Sequence, residues 1–335
     1  MSTWPRNTAG HDALDGRVLI SLSEDAMLTI FATPKAFRGH VAVIQRNAIR
    51  SWTLLRPACE IILMGNDEGT AEIAAEFGLR YVPDVARNTF GTPLVSDLFK
   101  QAQQLSVSNL FCYVNSDILL MSDFMQAIQR VVDQKSRFLL VGHRWNLDVK
   151  EILEFKPDWE EKLRSQVKKF ATLAGASAMD FFVFPRGLLG EIPPFAIGRP
   201  AWDNWMLYRA RSLSVPLIDA TPVVMAVHQN HDYSHHPQGD LWKGDELLAN
   251  VKLAGSAAHA FSLVDTTHLL TPQKLRLAYD LDHLVRHCET LPMCYPWLPL
   301  RWLPKALLDM SRPLRSRFGL TLSSLRRGRV SSHCG

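Results

Sequence analysis

The chain has 335 residues, a hydrophobic fraction of 47%, a charged fraction of 21% and a formal net charge of +4. This composition predicts a globular protein with a sizeable core and excludes an intrinsically disordered one. The net charge is too small for this length to indicate a nucleic-acid partner, and we expect no nucleic acid to bind.

Cysteine usage and the N-terminus predict the compartment. The five cysteines include no C-x-x-C pair, and an odd number without a disulfide framework favours a reducing compartment. Residues 1–10 lack the apolar core of a signal peptide. No run approaches the roughly 18 apolar residues that a membrane-spanning helix needs. We therefore expect a cytoplasmic protein.

Apolar runs alternate with helical spacings after a polar N-terminal arm, residues 1–26. Met27–Ala32 predicts a buried strand, and the apolar spacing from Phe37 to Leu55 predicts a helix. The alternation continues with predicted strands at 61–64, 79–82, 109–114 and 138–141 and predicted helices at 70–77, 94–105 and 122–132. Strand–helix repeats with compact connections predict an α/β fold, with a doubly wound, mostly parallel sheet and helices on both faces.

The second half of the chain is less regular. A charged helix is predicted over Lys156–Leu173 and a strand over Met179–Phe184. A stretch rich in Pro and aromatic residues, 192–205, leads into a helix predicted over Trp205–Arg211. Long loops that carry Trp, Asp and His in a globular chain are more often functional than decorative.

The tripeptide Asn115-Ser116-Asp117 follows an apolar strand, at the position where open α/β sheets bind ligands. Asp117 can hold a divalent cation that carries a diphosphate, because Mg²⁺ takes one or two carboxylates plus phosphate oxygens. The alternative is that Asp117 starts a turn before a helix capped by Ser122. Neither G-x-G-x-x-G after the first strand nor G-x-x-x-x-G-K-[ST] is present, which disfavours a dinucleotide-binding Rossmann domain and a P-loop NTPase.

Three later motifs carry a family resemblance: Asp180-Phe-Phe-Val-Phe-Pro185, Trp202-Asp-Asn-Trp205 and His228-Gln-Asn-His-Asp-Tyr233. With Asn-Ser-Asp, they make the chain resemble glycosyltransferases of the GT-A fold, within the nucleotide-diphospho-sugar transferases. The resemblance implies transfer from a nucleotide-diphosphate sugar donor to a polysaccharide, lipid-linked or small-molecule acceptor. It also implies a Mn²⁺ or Mg²⁺ cofactor and a GT-A-like domain over residues 27–290.

The resemblance also implies roles for the residues of the first motif and the histidines. The family's metal motif is commonly Asp-x-Asp, and because Asn115 stands at its first position, only Asp117 carries over as a charged ligand. Asn115 and Ser116 are expected beside the nucleotide, with Asn115 contacting the metal through water or orienting the ribose. His228 or His231 is expected to add a metal ligand.

Asp203 is the candidate base that takes the proton of the acceptor hydroxyl. Aromatic neighbours would reduce its hydration and raise its pKa. Trp202, Asn204 and Trp205 are expected to contact the acceptor, with the alternative that Trp202 and Trp205, three residues apart, are both core residues. If the reaction retains configuration, Asp203 would position the acceptor, and it is equally explained as the N-cap of a helix that begins at Asn204.

The nucleotide is expected over the ends of the first two strands. Thr33 would lie near the base and ribose, and Asp67 would accept a hydrogen bond from a base N–H. Asp67 is equally explained as a turn residue. Arg87 and Arg199 are expected to contact phosphate or base, because guanidinium matches phosphate oxygens in a bidentate way.

Three other interpretations stay open. The four histidines between positions 228 and 236 could hold zinc, although no Cys lies near and their spacing fits no common ligand pattern. A sugar-1-phosphate nucleotidyltransferase would share the sheet, but it needs a Gly-rich basic loop after the first strand, which residues 31–38 do not supply. A catalytically silent nucleotide-sugar binder or membrane-associated scaffold is the third, because Asn replaces Asp at position 115.

A basic, Pro- and Trp-rich C-terminal extension is predicted over residues 291–335. Between Arg301 and Val330 it has eight basic residues against one acid, Asp309. Cations mixed with Trp and Leu suit an anionic membrane surface, so the extension predicts peripheral binding at the inner face of the membrane. The alternative is a disordered tail with an incidental basic bias.

Overall fold

The computed structural model describes residues 28–231 and 243–295. The predicted N-terminal arm and nearly all of the predicted C-terminal extension lie outside these ranges, as do His235 and His236. Within the two ranges, no helix combines the length and the apolar content that crossing a bilayer requires. The cysteines of these ranges are all free, in line with the missing disulfide framework.

A nine-stranded sheet forms the centre of the molecule. Across the sheet its strands are β13 (Leu275–Leu277), β12 (His268–Leu270), β10 (Leu217–Asp219), β6 (Leu139–Val141), β9 (Phe181–Pro185), β4 (Leu110–Val114), β1 (Thr29–Ala32), β2 (Glu60–Met64) and β3 (Arg80–Val82). Five neighbouring pairs are parallel, and only the pairs β12–β13, β4–β9 and β6–β9 are antiparallel. The prediction of a mostly parallel sheet is confirmed.

Helices cover both faces of this sheet because side chains alternate along each strand. In β4, Cys112 and Val114 point into one core, whereas Phe111 and Tyr113 point into the other. The first core is closed by α1 (Gly39–Thr53), α2 (Thr70–Phe77) and α4 (Ser122–Val132). The second is closed by α3 (Val95–Leu105), α6 (Trp202–Ser212) and α8 (Leu281–Cys294). The predicted doubly wound α/β arrangement is therefore confirmed.

A smaller four-stranded sheet lies beside the end of β4. Its order is β5 (Ile118–Leu119), β11 (Ala226–Gln229), β7 (Arg144–Leu147) and β8 (Thr172–Leu173). A third core joins it to α5 (Trp159–Phe170) through Leu163 and Val167. Strand β11 pairs with β5, which begins one residue after Asp117, and so brings His228 to the end of β4.

Two helices of the second half differ from their predicted boundaries, and one predicted capping residue lies inside its helix. Helix α5 covers Trp159–Phe170 rather than 156–173, because Thr172 and Leu173 pair with β7 as strand β8. Helix α6 begins at Trp202, three residues before its predicted start. Ser122 is the first residue of α4 and no N-cap, and its hydroxyl donates to Glu160 at 2.6 Å.

The last helix and α7 complete the described chain. Helix α7 (Asp245–Leu253) contributes Asn250, whose buried amide donates to the Ala196 carbonyl at 3.0 Å. Helix α8 continues past the predicted domain boundary at residue 290 and includes Pro292. Cys294, in its last turn, is buried in the second core. These contacts tie the end of the described chain to the sheet.

Candidate active site

Three side chains converge where β4 ends. Asp117 lies three residues beyond β4, His228 lies within β11, and His231 lies two residues after β11. The Nε2 atoms of His231 and His228 are 3.1 Å and 3.6 Å from Asp117 Oδ2. Two ligands on one ion, with bonds of about 2.1 Å, are about 3.0–3.4 Å apart. The spacing of Asp117 and His231 fits two ligands of one divalent ion, His228 lies slightly farther away, and the three ligand atoms are within 4.8 Å of one another.

Buried polar atoms without hydrogen-bond partners concentrate at this position. Among the described residues they include Ser116 Oγ, Asp117 Oδ1 and His228 Nδ1. Buried polar groups in proteins are nearly always satisfied by protein or water. Three unsatisfied atoms on neighbouring residues indicate a site that is completed by a ligand. One carboxylate and two imidazoles form a donor set that suits Mn²⁺ and, with added water or phosphate oxygens, Mg²⁺.

The electrostatic environment keeps Asp117 ionised. Burial alone would raise the pKa of Asp117, but the hydrogen bond from His231 and the positive charges of His228, His231 and Lys35 outweigh burial. They hold the pKa of Asp117 below its ordinary value. Burial lowers the pKa of His228, although the Asp117 charge acts in the opposite direction. A lowered pKa eases the loss of the His228 proton, which must leave before the imidazole can ligate a metal ion.

Asn115 makes structural hydrogen bonds that the sequence did not predict. Its side-chain Oδ1 accepts from the Tyr113 hydroxyl at 3.0 Å, and its Nδ2 donates to Asp180 Oδ1 at 2.5 Å. Arg144 Nη1 donates to the same carboxylate, at 2.9 Å from Asp180 Oδ2. The amide of Asn115 is engaged at both ends by protein groups. The expectation that Asn115 contacts the metal through water or orients the ribose stays a prediction beside these structural bonds.

Asp203 lies in the first turn of α6, as its second residue, so it is not the N-cap of a helix that begins at Asn204. Burial raises the pKa of Asp203 to about 6, with a smaller contribution from the Asp180 charge, against opposing backbone hydrogen bonds. The direction of this pKa shift agrees with the expectation, and the role of Asp203 as the base stays a prediction. Burial raises the pKa of Tyr113, and the negative charges of Asp117, Asp180 and Asp203 raise it further.

Thr33, Asp67 and Arg87 meet around Gly65, at the ends of β1 and β2. A Cβ added to Gly65 would lie 3.3 Å from Thr33 Oγ1, 3.7 Å from Asp67 Oδ2 and 3.8 Å from Arg87 Nη2. Gly65 has a φ of +103°, which favours glycine. Arg87 Nη2 donates to Asp67 Oδ2 at 3.2 Å and to Asn66 Oδ1 at 2.7 Å. The three predicted nucleotide residues therefore share one polar cradle.

The remaining predicted contacts are engaged within the protein. Arg199 Nη2 pairs with Glu246 Oε2 at 2.6 Å, and its Nε donates to the same oxygen at 2.9 Å. Burial lowers the pKa of Lys35, and the positive charge of Arg199 lowers it further. The charge of Asp117 acts on the same lysine in the opposite direction, so Arg199 and Asp117 both influence Lys35. The Asn204 amide donates to the Phe261 carbonyl at 2.6 Å. This bond joins α6 to the segment after α7, and the acceptor contact of Asn204 stays a prediction.

Trp202 and Trp205 lie in the core, which agrees with the alternative interpretation, and their burial opposes the predicted contact with an acceptor. They are 5% and 7% exposed. Trp202 packs against Phe99, Tyr113 and Phe182, with ring centroids 6.5 Å, 5.2 Å and 5.3 Å away. The physical reason is the early start of α6, which turns positions 202, 205 and 206 to the sheet at the spacing of a buried helix face.

Two site residues had no predicted role. Asp180 was part of a recognised motif, and the antiparallel pairing of β9 with β4 places it beside Asn115. In the sequence, the feature that could have identified Asp180 is a single acidic residue directly before an apolar strand. Arg144 carries no such signal, because β7 is a four-residue strand without an apolar pattern. Only the fold brings it to Asp180.

Comparison with known proteins gives similarity of fold alone. No family model and no curated protein matches the sequence. Among solved structures, TarS from S. aureus in complex with UDP-GlcNAc is 9% identical, with a TM-score of 0.47 over 83% of this chain and 77% of its own. Glucosyl-3-phosphoglycerate synthase from Mycobacterium tuberculosis, bound to Mn²⁺, UDP and glucosyl-3-phosphoglycerate, is 13% identical, with a TM-score of 0.41 over 69% and 81%.

A third similar structure is GalNAc-T7 with UDP, GalNAc and Mn²⁺, which is 15% identical with a TM-score of 0.44. The match covers 69% of this chain and spans about half, 48%, of the GalNAc-T7 chain. At these identities the chemistry of the present chain rests on its own residues.

Proposed function

We propose that the chain is a glycosyltransferase that moves a sugar from a nucleotide-diphosphate donor, assisted by a divalent metal at Asp117. The observation that carries the proposal is the convergence of Asp117, His228 and His231 at the end of β4, with unsatisfied buried atoms around them. Ligands of α/β sheets bind at this edge. The cradle around Gly65, at the ends of β1 and β2, offers the adjacent place for the nucleoside.

In the proposed mechanism each carboxylate has its own task. A Mn²⁺ or Mg²⁺ ion held by Asp117, His228 and His231 would supply Lewis-acid stabilisation of the leaving diphosphate. Asp203, with a pKa of about 6, is mostly ionised at neutral pH and basic enough to take the proton of an acceptor hydroxyl. If the sugar is transferred with retention, Asp203 orients that hydroxyl as a hydrogen-bond acceptor.

The experiment that tests this function is a thermal-shift titration with UDP, GDP, CDP and ADP, each with and without Mn²⁺. A ligand that binds only the native state raises the melting midpoint by mass action. We expect one nucleotide to give a shift that requires Mn²⁺, which would also identify the donor class. No shift with any nucleotide would contradict the proposal, and binding without turnover of any donor would favour the catalytically silent binder.

We further propose that the acceptor is a carbohydrate or a lipid-linked sugar and that the protein binds a membrane surface peripherally. Large apolar side chains are exposed just before the basic extension: Leu277, Tyr279, Leu281 and Leu284, at 59%, 61%, 42% and 50%. Apolar residues followed by cations favour an anionic interface. The full chain should therefore sediment with anionic vesicles and stay free with neutral ones, and equal behaviour with both would contradict this part.

A further inference from the structure

The side chain of Asp180 lies directly against Asn115. The antiparallel pairing of β9 with β4 puts the two residues side by side, and the Asn115 backbone N–H donates to the Asp180 carbonyl at 2.9 Å. The Asn115 side chain adds a second bond, from Nδ2 to Asp180 Oδ1 at 2.5 Å. The side chain of Asp180 is 6% exposed. Asp180 is thus a buried carboxylate that needs donors around it.

One cation compensates the charge of Asp180. Arg144 Nη1 donates to both carboxylate oxygens, at 3.1 Å and 2.9 Å, and Arg144 Nε donates to Asn146 Oδ1 at 3.1 Å. A buried carboxylate is tolerated only when it is paired and hydrogen-bonded. Asn146 lies in β7 opposite His228 of β11. The contacts of Asp180 therefore continue through Arg144 and Asn146 to the strand beside His228.

A carboxylate at position 115 would be incompatible with this arrangement. The present separation of 2.5 Å between Asn115 Nδ2 and Asp180 Oδ1 is a donor–acceptor contact. With Asp at position 115, two carboxylate oxygens would meet there, and like charges at that distance cannot both stay ionised. Asparagine supplies a donor without a charge. The Asp180 carboxylate is therefore compatible with a neutral hydrogen-bond donor at position 115 and not with a second carboxylate.

We propose that Asp180 is a positioning residue that requires asparagine at position 115 and so gives the metal centre one carboxylate, Asp117, with two imidazoles. This inference rests on the proposed metal-assisted function. It predicts that adding a carboxylate at position 115 weakens metal binding, because the change breaks the Asn115–Asp180 contact beside Asp117. It also predicts that exchanging the two side chains restores the contact, because the pair keeps one charge and one donor.

The test compares Mn²⁺ affinity by isothermal titration calorimetry in the wild type, Asn115→Asp, Asp180→Asn and the double variant Asn115→Asp/Asp180→Asn. Disturbing groups behind metal ligands typically costs about 10–100-fold in affinity. We expect each single variant to lose affinity in about this range and the double variant to recover most of it. Melting midpoints measured without metal separate the loss of affinity from the loss of stability.

Each outcome decides a separate claim. Tighter Mn²⁺ binding by Asn115→Asp, or a double variant no better than the singles, overturns the inference and leaves the proposed function intact. Lower melting midpoints with unchanged Mn²⁺ affinity also overturn it, because the contact would then be structural only. A wild type that takes up no Mn²⁺ contradicts the proposed function itself.

A second variant covers the case in which Asn115→Asp does not fold. Asn115→Ala removes the donor to Asp180 without adding a charge. We expect its Mn²⁺ affinity to fall about tenfold, at the lower end of the range for groups behind metal ligands. Wild-type affinity in Asn115→Ala would overturn the positioning role of Asp180.

Discussion

The end of β4 and the start of α6 each present a carboxylate to the same edge of the sheet, and the two carboxylates have opposite environments. At the end of β4, two imidazoles and Lys35 outweigh burial and hold the pKa of Asp117 below its ordinary value. At the start of α6, burial dominates and raises the pKa of Asp203 to about 6. Groups whose pKa values are pushed apart are suited to different tasks.

The difference comes from the partners that each element supplies. Asp117 follows a strand whose neighbours carry His228 and His231, and these side chains stabilise its negative charge. Asp203 accepts hydrogen bonds from backbone N–H groups, but burial and the charge of Asp180 act against its ionisation. One carboxylate is therefore suited to hold a cation and the other to accept a proton.

The largest predicted effect concerns the metal. Removing divalent ions with EDTA should abolish the thermal shift caused by the preferred nucleoside diphosphate, because Asp117 would face a phosphate without an intervening cation. Mn²⁺ should restore the shift at a lower concentration than Mg²⁺, since imidazole ligands favour the transition ion. Thermal shifts measured across both metal titrations check this. A full shift in EDTA would break the proposed role of Asp117.

The next effect concerns Asp203. Asp203→Asn should lower sugar transfer by about 10²–10⁴-fold, the usual contribution of a general base. The same change should stabilise the fold at pH 7 by up to about 3 kcal/mol, since ionising a carboxyl whose pKa is raised from 3.8 to about 6 opposes folding. The wild type binds the extra proton only when folded, so its stability falls as pH rises from about 4 to 6.

Urea unfolding of the wild type and Asp203→Asn at several pH values checks this sign. The variant should gain relative stability as pH rises through this window, and the difference should level off above about pH 7. A difference that is the same at pH 4 and pH 7 would contradict the raised pKa. Asp84→Asn, at an exposed loop carboxylate, is the matched control.

A comparable cost in stability is expected in the aromatic core beneath the site. Trp202→Ala should destabilise the protein by about 3–5 kcal/mol, because it leaves a cavity beside Phe99 and Tyr113. Trp202→Phe should retain most of the stability and the affinity for the nucleotide. Denaturant midpoints and nucleotide titrations measure both. Loss of acceptor use in a Trp202→Phe protein of normal stability would restore the stacking role that burial argues against.

The smallest effect concerns the cradle around Gly65. Gly65→Ala should weaken nucleotide binding by about tenfold, since one lost contact of about 1.4 kcal/mol corresponds to that factor. The control is Gly78→Ala at the end of α2, which also has a positive φ, +66°, but nothing within 4 Å of an added Cβ. Both variants should lose stability, and only Gly65→Ala should lose affinity in calorimetric titrations. Equal affinities would exclude the cradle as the nucleoside site.

Several parts of this arrangement were predictable from the sequence because they depend on local pattern. Apolar runs that end in polar residues mark β1, β2 and β4, and parallel strands necessarily share one edge. Asp117, Thr33 and Asp67 could therefore be assigned to that edge. His228 and His231 were accessible through the motif that contains them.

The remaining parts depend on tertiary contacts. The start of α6 was predicted three residues late, so the packing of Trp202 on the sheet could not be predicted from the helical spacing. The contact between Asn115 and Asp180 could not be predicted, because β9 runs antiparallel to β4 within a mostly parallel sheet. Arg144 lies in a strand of four residues that forms only when β11 and β8 pair with it. Long-range pairing of this kind leaves no periodic signal in a short polar segment.

The most direct test of the central claim compares Asp117→Ala and Asp203→Ala for nucleotide binding with Mn²⁺ and for turnover of the sugar donor. We predict that Asp117→Ala loses both, because it removes the metal ligand, and that Asp203→Ala keeps binding and loses turnover. Asp203→Ala that loses nucleotide binding at a normal melting midpoint, or Asp117→Ala that binds the Mn²⁺–nucleotide complex as the wild type does, would contradict the division of tasks between the two carboxylates.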